Sequence, residues 1–165
     1  MCHYCGCRDI PLIKEFIAEH EAVTDLGGDA VRALDADDRA RAALLAAEMT
    51  ALLRRHWAGE EAGLFRVMAD NDEYAAYAAY VAALVAEHRE LDAFLTALDL
   101  DEPAQRDAFA RAVGELREHI AKEEDGLFPA SLTELTGEQW NAAMAAWSGV
   151  HGRPVAPART TGGAA

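Results

Sequence analysis

Apolar residues return along this chain at alternating steps of three and four, the period of a helix with one buried face. In the first such stretch Ile13, Phe16, Ile17, His20 and Val23 share a face, with Asp9 as the expected N-cap and Pro11 in the first turn. Gly27 and Gly28 are expected to bend or fray this helix, and the acidic stretch from Asp35 to Asp38 supplies a turn and the next N-cap. A second helix, from about Asp38, carries Leu45, Met49, Leu52, His56 and Glu60 on one stripe. After a polar break at Asp70, Asn71 and Asp72, a third carries Val81, Leu84, His88, Leu91, Leu95 and Leu98. The stretch from Asp99 to Pro103 reads as a connection, and a fourth helix carries Phe109, Val113, Leu116, His119 and Glu123. Thr136 and Gln139 form a capping box for a short helix with Trp140, Met144 and Trp147, expected to lie across the end of the bundle.

These elements predict an all-α fold, an antiparallel up-down-up-down four-helix bundle with a short C-terminal helix. The chain has 165 residues, enough for one domain with a sizeable core. The expected organisation is a Cys-rich arm over residues 1–10, the bundle over 11–148 and a disordered tail over 149–165. The formal net charge of −14 makes an acidic surface that repels phosphate backbones and anionic lipids, so neither nucleic acid nor a membrane is an expected partner. No protein partner can be named from the sequence. The first residues lack a secretory signal and no apolar run could span a bilayer, so a cytoplasmic location is expected. Cys2, Cys5 and Cys7 are odd in number and crowded, which suits reduced thiols better than disulfides. Their C-x-x-C-x-C spacing leaves three readings open: a zinc or cluster site lacking an evident fourth ligand, a redox pair, or an exposed reactive arm.

Candidate chemistry comes from a repeat. The segment H-W-A-G-E-E-A-G-L-F from His56 returns 63 positions later as H-I-A-K-E-E-D-G-L-F from His119. An A-E-H triplet precedes each copy, ending at His20 and at His88. A His and a Glu four residues apart share one helix face, and here that face is the apolar one. Buried carboxylates and imidazoles need a positive centre, so the repeat points to metal. One half offers His20, His56 and Glu60 and the other His88, His119 and Glu123, a ligand mix that suits non-haem iron. The matched halves predict two ions side by side with the glutamates bridging them. Of about twelve positions on two six-coordinate irons, these ligands and an oxo or hydroxo bridge would fill about ten, leaving roughly two for an exogenous ligand.

Several neighbours read as supporting residues. Glu61 and Glu124 stand about 100° around the helix from the ligand face and read as solvated or supporting, as do Glu19 and Glu87. Phe65 and Phe128 are expected to cap the hydrophobic end of the site; Tyr74, Tyr77 and Tyr80 read as packing residues. His3 and His151 fall in the expected flexible ends and look unrelated to the bundle.

With these histidines and the two His-x-x-x-acid segments, the chain resembles a hemerythrin-like (HHE cation-binding) domain from about Pro11 to Trp147. The resemblance implies a four-helix bundle around an oxygen-handling di-iron centre. The oxygen carriers of that family place a second histidine four residues after the first on the third helix, where this chain has Asp92. Asp92 is thus an oxygen ligand, an acceptor that orients His88, or a solvated residue at the edge of the stripe. The leading expectation is a non-haem di-iron protein that binds or senses dioxygen, nitric oxide or redox state. Its rival is an enzyme acting on peroxide or nitric oxide at the same centre. Iron storage ranks lower, because ferritin-like bundles use Glu-x-x-His, and so does a structural bundle whose Cys-rich arm makes the interactions.

Overall fold

A computed structural model describes residues 6–70 and 75–157 of the chain. Cys2, His3, Cys5, Asn71, Asp72 and Tyr74 lie outside the described residues. Every regular element among the described residues is helical. Four helices are long: α1 (Ile13–Asp35), α2 (Arg39–Ala62), α4 (Ala75–Thr96) and α5 (Pro103–Lys122). Three are shorter: α3 (Leu64–Ala69), α6 (Phe128–Glu134) and α7 (Gly137–His151). A 3-10 turn, Cys7–Asp9, precedes α1, and one π-helical stretch, Glu123–Leu127, joins α5 to α6.

Local signals explain most of the boundaries. The Asp38 carboxylate accepts the Arg41 N–H at 3.0 Å and starts α2, and Pro103 stands at the start of α5, where its missing N–H costs nothing. The Thr136–Gln139 capping box opens α7, which packs against α2 and α3.

Elsewhere the structure departs from the expected boundaries. Asp9 is used in the 3-10 turn, and the N-cap of α1 is Leu12, with Pro11 ahead of the helix. Leu12 has a φ of 71°, uncommon for a bulky residue, and conformations of this kind cost about 1–3 kcal/mol. The offsetting gain is its side chain, fully buried at the head of the core. Helix α1 runs unbroken through Gly27 and Gly28; a Cβ on Gly27 would meet Met49 Sδ at 3.1 Å and Val113 Cγ atoms at 3.2 Å, so the residue lets α1 lie close to α2 and α5. Helix α4 ends at Thr96, and Leu98 packs on the core from beyond it. Residues 149–156, expected in the tail, are instead placed: α7 runs to His151, Gly152 closes it with a φ of 65°, and residues 153–156 return to α1. At the other end, Ile10 packs on the core and Arg8 bonds Glu124, so this part of the expected arm is docked.

The core divides into two apolar clusters. One gathers Leu12, Phe16, Leu64, Phe65, Leu84, Phe128 and Trp147, the other Val23, Met49, Leu53, Leu95, Phe109 and Leu116. The chain crosses from the first cluster to the second along α1 and α4, and from the second to the first along α2 and α5. At each crossing stands a buried histidine: His20, His56, His88 or His119. A polar layer is thereby fixed between two apolar ones.

Candidate metal centre

The four long helices each bring one histidine into this layer, and α2 and the π-helical stretch add the carboxylates of Glu60 and Glu123. Both glutamates are completely buried. The Nε2 atoms of His20 and His56 lie 3.0 Å apart and those of His88 and His119 2.9 Å apart. Each glutamate faces both histidine pairs. Glu60 oxygens stand 3.3 Å from His56, 3.7 Å from His88 and 3.9 Å from His20. Glu123 oxygens stand 2.9 Å from His119, 3.2 Å from His20 and 3.6 Å from His88. Two groups of donors close enough to share an ion result: His20, His56, Glu60 and Glu123, and His88, His119 and Glu123. The six residues singled out from the repeat thus meet; Glu123 belongs to both groups and Glu60 to that of its own half.

The outward ring nitrogens follow one rule. His56 Nδ1 donates to Glu19 at 2.8 Å, His88 Nδ1 to Glu61 at 2.9 Å, His119 Nδ1 to Glu87 at 2.7 Å and His20 Nδ1 to Glu124 at 3.1 Å. Each acceptor is the chain neighbour of a different inner residue, so the bonds run α1 to α2, α2 to α4, α4 to α5 and from the π-helical stretch back to α1. A carboxylate only accepts, which puts the proton on Nδ1 and turns the Nε2 lone pair toward the centre, the tautomer a metal requires. Glu19, Glu61, Glu87 and Glu124 are therefore specific partners and not simply solvated. The repeated A-E-H and E-E letters were the sequence signal for them.

Aromatic rings pack the imidazole faces. Phe128 stacks on His20 at 5.8 Å, and Phe65 and Trp57 stack on His88 at 5.6 and 5.1 Å. Tyr80 donates to the Lys122 carbonyl at 2.9 Å, where the π-helical stretch begins, and Tyr77 packs on the first apolar cluster. Asp92 is partly exposed and pairs with Arg54 at 2.6 Å, the solvated-edge outcome among its three readings. His151, expected in a flexible end, has a buried side chain: it stacks on Trp147 and places Nε2 2.8 Å from Glu19.

The electrostatics of the layer reflect its two carboxylates. Burial pushes the Glu60 carboxyl well above the usual range, and the nearby Glu123 charge pushes it further. Burial also opposes ionisation of Glu123, but the close approach of the His119, His20 and His88 rings outweighs it and holds that carboxyl well below the range. Burial likewise disfavours charge on His20, yet Glu123 and Glu124 raise it to about 9. His56 is lowered to about 4, chiefly by burial, with the His20 charge adding to the effect against the bond to Glu19.

All four oxygens of Glu60 and Glu123 are buried without a hydrogen-bond partner. Natural proteins rarely leave one such atom unmatched, and each costs about 1–3 kcal/mol or more. Four imidazole nitrogens and four carboxylate oxygens around one point form a donor set for cations that accept both nitrogen and oxygen. On the side of His88 and His119, a groove of about 440 Å³ between α4 and α5 reaches these two histidines past Leu91, Phe94 and Leu116, with Lys122 and Glu87 at its edge.

The model of the hemerythrin HHE cation binding domain family matches residues 12–131, more than half of the chain. No curated protein and no solved structure gives a significant match.

Proposed function

The chain belongs to the hemerythrin HHE cation-binding family, and from that premise we propose that it is a non-haem di-iron protein that binds or senses a small ligand. His20 and His56 would hold one ion and His88 and His119 the other, with Glu60 and Glu123 as carboxylate ligands between them. The observation that carries this reading is the set of four orphaned carboxylate oxygens facing four Nε2 atoms. The alternating passage of the long helices between the two apolar clusters supports the finer topology, an up-down-up-down four-helix bundle. A pair of iron ions supplies redox chemistry toward dioxygen, nitric oxide or peroxide. The protein's part is to fix the imidazole tautomers through the outer glutamates, to keep water from the site with Phe65, Phe128 and Trp57, and to leave one approach. The groove at His88 and His119 is that approach, and it favours an exchangeable ligand over a closed structural site.

No helix among the described residues is long and apolar enough to cross a membrane. We place the protein in the cytoplasm and assign it no nucleic-acid or membrane partner, on the strength of its acidic charge. Metal analysis after purification with iron present tests the centre: about two irons per chain are expected, on two ligand sets of this kind. The combined change His56→Ala and His119→Ala removes a donor from each half and should abolish iron binding; a folded, iron-free wild type would refute the assignment. Anaerobic reduction followed by separate exposure to dioxygen, nitric oxide and peroxide then identifies the ligand. Peroxide consumed only to the extent of iron oxidation supports binding or sensing, and continued consumption would establish the rival enzyme.

A further inference from the structure

The two histidine pairs are not supported alike. The side chain of His151, the last residue of α7, is buried in a niche on α2 that exists because residue 59 is glycine. A Cβ at Gly59 would meet His151 Cε1 at 2.8 Å and Trp147 Cδ1 at 2.9 Å. The imidazole lies flat on the Trp147 indole, 3.9 Å between centroids, and its Nδ1 donates to the Trp147 carbonyl at 3.0 Å. Its Nε2 stands 2.8 Å from Glu19 Oε1, with the carboxylate off the N–H axis, and the other oxygen of Glu19 accepts from His56. Just beyond, Arg153 packs over Trp147 at 4.5 Å and bonds Glu15 at 2.7 Å, while the Ala156 N–H donates to the other Glu15 oxygen at 3.0 Å. The end of the chain therefore grips α1 through Glu15 and Glu19, one helical turn apart. Arg8 beside Glu124 and Lys122 beside Glu87 are both more exposed than His151.

We propose that His151 is a positioning residue for one half of the centre: it holds Glu19, Glu19 holds His56, and the ion at His20 and His56 is retained longer for it. The proposal rests on the two-ion reading above. Changing a group that orients a metal-ligating histidine commonly costs 10–100-fold in metal affinity, and an effect of about tenfold is expected from a residue one step further out.

The test uses the full chain loaded with ferrous iron under anaerobic conditions and then mixed with excess ferrozine. Wild type should release iron in two phases. His151→Phe keeps the niche filled and the stack on Trp147 while removing both ring nitrogens, and should speed one phase about tenfold without reducing the iron bound at the start. His151→Leu serves the same purpose if phenylalanine overfills the niche and prevents folding. His151→Gln, which can still donate, should fall between wild type and His151→Phe. Glu19→Gln should speed the same phase, and the combined variant with His151→Phe should be no faster than Glu19→Gln alone. Unchanged release, equal acceleration of both phases or multiplying effects would each overturn the role of His151. A wild type that takes up no iron would overturn the two-ion reading along with it.

Discussion

In the first copy of the repeated motif Gly63 ends α2 and a new helix starts at Leu64; in the second, Gly126 falls inside a π-helical stretch that carries α5 into α6 unbroken. The inner donors nevertheless arrive in matching places, His56 with Glu60 and His119 with Glu123. What differs is the surroundings. The first copy is covered by α7, whose Trp147 and His151 lie against Gly59 and whose Ala143 carbonyl lies against Gly63. The second copy borders the groove between α4 and α5 at His119 and Lys122, and its one glycine, Gly126, faces Tyr80 of α4. The motif therefore specifies donor geometry, whereas exposure and support come from elements outside it. One half is held and the other is reachable, a division that suits a site with one retained ion and one that meets ligand.

The largest expected asymmetry lies between the two glutamates in the metal-free protein. Glu123 stands nearer than Glu60 to the histidines each faces, and its carboxyl is held well below the usual range, while burial pushes that of Glu60 well above it. Glu123→Gln leaves the protonated His20 without its nearest inner counter-charge and should lower stability by about 3–5 kcal/mol. Glu60→Gln keeps the shape of a group whose charged form burial already disfavours, and should cost about 1 kcal/mol or less. Urea unfolding of the two metal-free variants reads the difference, and equal losses would mean that the charge is divided evenly.

The paired glycines give a smaller contrast. A Cβ at residue 63 would meet two backbone oxygens, of Ala143 and Gly59, each at 2.9 Å, and backbone cannot swing aside. Gly63→Ala should therefore cost about 1–3 kcal/mol, the usual range for overpacking. At residue 126 the nearest atom is the Tyr80 hydroxyl at 2.7 Å, the far end of a half-exposed side chain. Gly126→Ala should cost about 1 kcal/mol at most, through the lost bond from Tyr80 to the Lys122 carbonyl. Thermal unfolding of the two variants side by side would reverse this ranking if α7 were free to shift.

These contrasts separate what the sequence could reveal from what it could not. The six inner residues were legible because helical register places them on the apolar face and the repeat does so twice. The outer glutamates were half legible. A residue rotated about 100° from the ligand face leaves the centre of an isolated helix but points at the next helix in a bundle, and Glu19 and Glu124 take up their histidines that way. His151 was not legible, because its contact with Glu19 joins opposite ends of the chain and leaves no periodic trace. Nor did any local letter distinguish a helix break at Gly63 from a π-helical stretch at Gly126, since both stand in the same Glu-Glu-x-Gly-Leu-Phe context.

The smallest expected effect concerns the strap that holds the covered half. Burial alone would raise the Glu15 carboxyl, but the bond from Arg153, the Ala156 N–H and the Arg153 charge together hold it below its ordinary value. A carboxyl lowered in the folded state stabilises fully above its unfolded value of about 4.5 and loses that contribution as pH falls through the folded one. Acid should therefore loosen residues 153–156 from α1 before the buried layer opens, because the strap ends at the surface. Hydrogen-exchange protection of the Ala156 amide, corrected for the intrinsic rate, should drop over this range, while amides of α2 near His56 stay protected. Arg153→Ala should remove protection already at neutral pH and flatten the dependence. If protection of Ala156 persisted until the whole chain unfolded, the strap would be part of the global core, and the distinction between a held half and a reachable one would have to rest on His151 alone.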